Sequence, residues 1–278
     1  PDEFYLVFTV NADIFNFNLW GYPANNFPTI NINSGVHTVV LYHNATKNYF
    51  EWFRTISHYG NVDVGQGVVE HLIDDDDNLI ITSANNEVDF NTNMTSNYVI
   101  TSFNSSGQKW QKNMVVSGHI EHDYNMRTDI VGTDIHYLLQ TKANESSFDG
   151  QTIQCPNNSE FEICYAWLTI NSDGVLTRTV LKENPRVTFS SFAVIEDNAH
   201  LAGISGYVDS SICPLSCNTT NFTGIPILGE ENAEDIRDLV FASLNGTTAN
   251  WSFSETTNLD LPFWYTDLDS DKKRITRG

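Results

Sequence analysis

The fold is decided by VVEHLIDDDDNLIITSA (residues 68–84) and, after a polar stretch, by SNYVITSFNSSGQKWQKNM (residues 96–114). Apolar and β-branched residues alternate with polar ones at a period of two, which predicts β-strands. An acidic turn separates the first two strands, and Asn-Ser-Ser-Gly at residues 104–107 reverses the chain between the last two. The stretch therefore predicts a unit of four antiparallel strands.

The same unit recurs along the chain. Three further copies can be recognised. One precedes the quoted unit, at residues 3–12 and 35–56, and lacks its opening strand. Two follow it, one at residues 129–143 and 164–182 and the other at residues 192–206 and 238–255. Four-stranded units repeated around an axis are typical of a β-propeller. We expect one all-β domain over residues 1–278 with about four four-stranded antiparallel blades, at approximately 1–60, 61–118, 128–184 and 192–256.

Residues 259–271, LDLPFWYTDLDSD, resemble an isolated first strand with its acidic turn. This strand could close a four-bladed ring by pairing with the first unit, since closure removes exposed edges. Alternatively, the chain is a segment of a longer array and the strand is exchanged with another subunit. The sequence leaves both arrangements open.

Residues 68–118 resemble a degenerate unit of the bacterial-type β-propeller repeats, sometimes called SBBP repeats. Asn78, Phe103, Asn104, Gly107 and Trp110 match the pattern of that family. Partial matches elsewhere are Asn171, Gly174, Asn245 and Trp251, whereas Ser83 and Thr141 replace family glycines and Gly203 or Gly206 keeps one. The resemblance implies a propeller and carries no catalytic residues.

The net charge of the chain limits the classes of partner that it is expected to bind. The chain has 14 Lys+Arg against 35 Asp+Glu, a net charge of −21. Such a surface repels phosphate backbones and anionic lipid, so we expect no nucleic-acid partner. No run of 18 apolar residues exists, so no membrane insertion is expected. The chain begins at Pro1 without a basic-then-apolar leader, which suggests a processed segment.

Asn-x-Ser/Thr sequons indicate an extracellular, N-glycosylated protein, secreted or on a cell or virion surface. Most fall in proposed loops or beside proposed hairpin turns, where glycans can be accommodated. We expect N-linked glycans at nine asparagines: Asn44, Asn93, Asn104, Asn144, Asn157, Asn218, Asn221, Asn245 and Asn250.

The four cysteines lie in two inserts, and each has one close neighbour. Three pairings are open to four cysteines. Proximity predicts the disulfides Cys155–Cys164 and Cys213–Cys217, each of which would pin a loop. Free thiols are the alternative.

Acidic turns are expected to collect at one rim of a propeller. Carboxylates at alternate positions can converge on Ca²⁺, so a calcium site is conceivable at Asp267, Asp269 and Asp271 or at Asp74 and Asp76. Solvated turn aspartates, which accept hydrogen bonds from their own backbone, are the competing interpretation. No other cofactor is expected.

Two further patterns contain residue types that act in metal sites or in catalysis. The cluster His119, Glu121, His122 and Asp123 lacks a zinc-binding spacing. Glu70 and Asp129 lie in proposed innermost strands, where a propeller glycosidase would place its acids, but nothing in their spacing singles them out. We therefore assign no catalytic residue and do not expect an enzyme; a glycoside hydrolase is the enzymatic alternative.

Aromatic residues outside the expected core suggest interfaces. Trp20 and Tyr22 lie in a Gly/Pro/Asn-rich insert, and Phe263 and Trp264 lie in the isolated strand. We expect a structural subunit of a coat, appendage or filament that self-associates or binds another extracellular protein. A carbohydrate- or receptor-binding propeller module is the alternative.

Overall fold

The computed structural model describes fifteen segments of the chain: residues 3–11, 35–47, 49–58, 68–84, 95–117, 126–142, 146–154, 163–183, 187–205, 221–222, 225–226, 237–246, 248–257, 266–269 and 274–277. Within these segments the strands form antiparallel sheets and no helix is present. The predicted all-β class is therefore confirmed.

The first sheet has three strands, in the order β1 (Phe4–Asn11), β2 (Val36–Asn44) and β3 (Tyr49–His58). β1 pairs with β2 along its whole length, from Phe4 opposite His43 to Asn11 opposite Val36. In the central strand β2, Val, Leu and Tyr at positions 39–42 are successive and not alternate, so both faces of this strand are apolar there. β2 accordingly has eight consecutive buried residues.

The second sheet contains the unit that decided the fold. Its strands follow chain order, as β4 (Val68–Ile73), β5 (Leu79–Ala84), β6 (Thr95–Asn104) and β7 (Gly107–Ser117). Leu79 pairs with both Ile73 and Phe103, so the apolar residues of the three strands lie side by side. Residues 79–83 are all buried.

The third sheet is built from β8 (Met126–Val131), β9 (Asp134–Lys142), β12 (Ile163–Ile170) and β13 (Leu176–Glu183), in that order. Between β9 and β12 the chain forms a short hairpin, β10 (Ser146–Phe148) and β11 (Gln151–Ile153). This hairpin continues the second sheet beyond β7 and brings that sheet to six strands.

The fourth sheet has the order β14 (Val187–Ile195), β15 (Asn198–Ser205), β18 (Arg237–Asn245) and β19 (Thr248–Thr257). Two small antiparallel pairs complete the described residues: β16 (Asn221–Phe222) with β17 (Ile225–Pro226), and β20 (Thr266–Asp269) with β21 (Arg274–Arg277). The isolated strand expected near residues 259–271 is thus paired, over Thr266–Asp269, with β21. β20 lies against β14 and β15.

The chain divides into two compact units. The first comprises Pro1–Val115 and Phe148–Gly150, and the second comprises Val116–Ser147 and Gln151–Gly278. In the first unit Val40, Ile56 and Tyr5 of the first sheet pack against Leu79, Ile81 and Phe103 of the second. In the second unit the core joins Leu138, Trp167 and other residues of the third sheet to Phe192, Leu201 and other residues of the fourth. Each unit is therefore a pair of face-packed sheets.

Candidate functional site

The hairpins that join the third and fourth strands of each repeat all begin with asparagine. These residues are Asn44, Asn104, Asn171 and Asn245. The side-chain Oδ1 of Asn104 accepts a hydrogen bond from the N–H of Ser106 at 2.9 Å, and Oδ1 of Asn171 accepts from the N–H of Val175 at 2.9 Å. Such bonds replace backbone bonds that a tight turn cannot make. Asparagine therefore has a local structural cause at the turns of Asn104 and Asn171.

Four of the nine predicted glycosylation sites have described side chains. Asn245 and Asn250 are exposed, and Asn44 and Asn104 are half-buried. Asn221 lies in β16, where only the backbone is described, and four sites lie outside the described residues: Asn93, Asn144, Asn157 and Asn218. Attachment of a glycan requires an accessible side chain, and none of the four described side chains is buried in a core.

The acidic turn between β4 and β5 is closed by Asp74. Its Oδ1 accepts hydrogen bonds from the N–H groups of Asp76 (3.0 Å) and Asn78 (2.8 Å), and its Oδ2 accepts from Asn78 Nδ2 (2.7 Å). Asp77 adopts a left-handed conformation, with φ of 60°. Asp74 is buried, and its own turn supplies hydrogen-bond donors to both carboxyl oxygens.

The sequence offers two places where calcium ligands are conceivable. In the first, the Asp74 carboxylate is directed to its own turn, while Asp76 is exposed. In the second, Asp267 and Asp269 lie in β20 with only their backbone described, and Asp271 lies outside the described residues. Among the side chains that the structure describes, no three metal-binding groups converge.

The two acids considered for glycoside hydrolysis are held differently. Asp129 in β8 accepts the N–H of Val194 in β14 on Oδ2 (2.6 Å) and the N–H of Ile130 on Oδ1 (2.8 Å). Within the described part of the chain, Glu70 in β4 accepts one bond, a local one from the N–H of His71 at 3.2 Å. Asp129 therefore connects the first strands of the third and fourth sheets, a structural task that the sequence did not predict.

A polar row crosses the third sheet at the level of Asp129. Asp129, His136, Thr169 and Arg178 are opposite one another on β8, β9, β12 and β13, so their side chains share one face. His136 Nδ1 lies 3.1 Å from Thr169 Oγ1 and accepts the indole N–H of Trp167 at 3.3 Å. Because the indole can only donate, Nδ1 must carry a lone pair and the imidazole is neutral.

Electrostatics agree with a neutral His136. Burial lowers the pKa of His136 from 6.5 to about 4. The positive charge of Arg178 also lowers this pKa, whereas the carboxylates of Asp134 and Asp197 raise it. The Arg178 guanidinium lies 4.8 Å from the centre of the Trp167 ring, within the range of a cation–π contact. The row is thus a packed polar layer between two sheets. It is not an open site.

A corresponding layer in the first unit is made by aromatic residues. The Tyr5 hydroxyl donates to the carbonyl of Asp77 at 3.2 Å, and the Trp52 indole N–H donates to the carbonyl of Ser105 at 2.9 Å. Both acceptors lie in turns of the second sheet. Burial, followed by the charges of Asp77, Asp74 and Glu3, raises the pKa of Tyr5 to about 12. Tyr5 was missed from the sequence because its partner is 72 positions away.

Several predicted residues lie outside the described part of the chain. This group consists of four aromatic residues and three cysteines: Trp20, Tyr22, Phe263, Trp264, Cys155, Cys213 and Cys217. Of the fourth cysteine, Cys164, only the backbone in β12 is described. The disulfides and the aromatic interfaces therefore stay predictions.

Comparison with known proteins gave no guide to function. No family model matches the chain, and no curated protein matches it. Within the described residues, no helix has the length and apolar character needed to cross a membrane.

Proposed function

We propose that this chain is an extracellular, N-glycosylated β-propeller of degenerate bacterial-type repeats that serves as an assembly subunit of a coat, appendage or filament. Its partners are further copies or another extracellular protein, and it is secreted or displayed on a cell or virion surface. It acts through protein–protein contacts and not through catalysis.

Burial on both faces of each sheet supports the propeller. Central strands carry uninterrupted buried runs at residues 36–43, 79–83, 135–139 and 165–170, and Ala242–Leu244 continues this in the fourth sheet. Successive strand residues point to opposite faces, so such runs mean that both faces are covered. A blade of a propeller has neighbouring blades on both of its faces, and packing of that kind produces buried runs like these.

The observation that carries the assembly role is the edge at β1. β1 is the counterpart of β5, β9 and β15, each of which has a first strand beside it: β4, β8 and β14. In the first sheet the order is β1-β2-β3, so among the described residues β1 is an edge strand. An edge strand presents backbone donors and acceptors to which another chain can add a strand.

Surface chemistry supports an extracellular setting for such contacts. The sequon asparagines Asn104 and Asn245 lie where β6 and β18 end in hairpin turns, and neither belongs to the sheet that contains β1. The net charge of −21 keeps the chain soluble while disfavouring anionic polymers as partners.

The test uses Phe4→Lys, at the exposed start of β1. Phe4 is 46% exposed and stacks on His43 with ring centres 4.6 Å apart. A lysine at a strand edge disfavours strand addition, so light scattering after size-exclusion chromatography should show oligomers for the wild-type chain and weakened association for the variant, by about tenfold or more in dissociation constant.

The matched control is Val175→Lys, which alters a residue 54% exposed in the hairpin turn between β12 and β13. It should leave association unchanged, and thermal melts should show that both variants fold. A wild-type chain that remains monomeric at every concentration, with and without calcium, would contradict the proposed assembly role.

A further inference from the structure

We propose that Asn104 and Asn245 accept N-linked glycans on the folded chain, whereas Asn44 and Asn250 do not. This inference rests on the proposed function, since it presupposes an exported glycoprotein. It selects among four sequons that sequence alone treats as equivalent, and the selection comes from what each side-chain amide already binds.

The chemistry makes the amide nitrogen decisive. Glycan transfer joins Asn Nδ2 to the anomeric carbon of an oligosaccharide carried on a lipid diphosphate. The new carbon–nitrogen bond forms as the bond from the anomeric carbon to the diphosphate oxygen breaks, the lipid diphosphate leaves, and Nδ2 loses one proton. An Nδ2 already engaged as a donor must give up that bond to react.

At Asn44 both ends of the amide are held. Nδ2 donates to Glu51 Oε2 at 2.7 Å, and Oδ1 accepts the N–H of Lys47 at 3.1 Å. The Lys47 ammonium pairs with the other oxygen of Glu51, which fixes the carboxylate beside the asparagine. A bond to a charged acceptor is among the stronger hydrogen bonds in proteins, so Asn44 is the most firmly protected of the four.

At Asn250 the acceptor is another amide. Asn250 Nδ2 donates to Asn198 Oδ1 at 2.9 Å, from β19 to the start of β15. Asn198 is itself oriented, because its Nδ2 donates to the carbonyl of Glu196 at 2.9 Å. Asn250 is therefore exposed to solvent and yet has its reactive nitrogen committed.

The other two asparagines have their amide nitrogens available. Asn104 uses its oxygen, which accepts the N–H of Ser106 at 2.9 Å, and this bond does not engage Nδ2. Asn245 is exposed at the tip of the β18–β19 hairpin. Among the described residues neither Asn104 Nδ2 nor Asn245 Nδ2 makes a hydrogen bond.

The experiment offers the purified folded chain to a single-subunit oligosaccharyltransferase with a lipid-linked oligosaccharide, and measures occupancy at each asparagine by peptide mass spectrometry. The folded chain should be modified at Asn104 and Asn245 about tenfold faster than at Asn44 and Asn250, the ratio that one hydrogen bond can supply. The same chain unfolded in urea and diluted into the reaction should lose this preference. Equal rates on the folded chain, or the same preference on the unfolded one, would overturn the inference.

Two variants serve as controls for each other. Glu51→Ala frees Nδ2 of Asn44 and should raise the rate there about tenfold without changing Asn250, and Asn198→Ala should do the reverse. Failure of both to release their asparagine would also overturn the inference, provided that thermal melts show folded variants. Monomeric behaviour in light scattering would contradict the assembly role and leave these rates untouched, so the two failures are distinguishable.

Discussion

At the scale of single residues, His136 makes stability depend on pH. Its pKa is lowered to about 4 by burial, whereas in the unfolded chain it titrates near 6.5. The unfolded state therefore binds more protons between these values. Its contribution to stability is complete above pH 6.5 and is lost as the pH falls towards 4, by at most about 3 kcal/mol.

The variant His136→Gln tests this dependence. Chemical unfolding at pH 7 and pH 4.5 should show a smaller loss of unfolding free energy in the variant than in the wild-type chain. Some slope should remain, because burial also lowers the pKa of His200. Identical losses in the two proteins would contradict the assignment of a neutral, buried imidazole.

Asp129 is expected to stabilise the second unit. Asp129→Asn replaces one acceptor oxygen by an NH₂ group, so the N–H of Val194 or of Ile130 loses its partner. Leaving a buried donor without an acceptor costs about 1 to 3 kcal/mol. The control Glu70→Gln disturbs only a local bond to His71 and should cost less than about 1 kcal/mol. Urea unfolding of both variants measures the difference, and an equal effect would rule out the bridging role.

At the scale of elements, hairpin turns set the spacing of the strands. Gly107, where β7 begins, has φ of 117°, and a Cβ there would lie 3.3 Å from the Arg54 guanidinium. Gly246 has φ of 56°, within the left-handed region, and open space around it. Gly107→Ala should therefore lower stability by about 2 kcal/mol or more, and Gly246→Ala by about 1 kcal/mol. Thermal melts of the two variants test this order; a larger loss at Gly246 would contradict it.

The strand order within each four-stranded repeat was predictable because it depends on local sequence patterns. The β-branched and apolar residues of β4–β7 and the Asn-Ser-Ser-Gly turn specify four neighbouring antiparallel strands, and these appear in the predicted order. The hairpin β10–β11 was missed although Asp149-Gly150 is a strong turn signal, because its strands have three residues each and lie within a polar insert. Its attachment beyond β7 follows from long-range contacts, including the Lys112–Asp149 ion pair at 2.5 Å.

The hydrogen bonds that join separate strands could not be predicted from the sequence. The bond from Val194 to Asp129 spans 65 positions, and that from Asn250 to Asn198 spans 52. Each joins separate strands whose facing depends on how the sheets pack, which period-two alternation does not specify. The sequons were evident as motifs, but the difference between a free and a committed amide became visible only with the turns in place.

At the scale of the whole molecule, the excess of acidic residues sets the response to salt. Since 35 Asp+Glu face 14 Lys+Arg, self-repulsion opposes compactness, and raising NaCl from about 0.02 M to about 0.3 M should raise the melting temperature by a few degrees. Calcium chloride at equal ionic strength is the control. A further rise with calcium that disappears in Asp267→Asn would locate a bound cation in the last acidic segment. A melting temperature that falls or stays constant with NaCl would mean that the carboxylates are already neutralised within the fold.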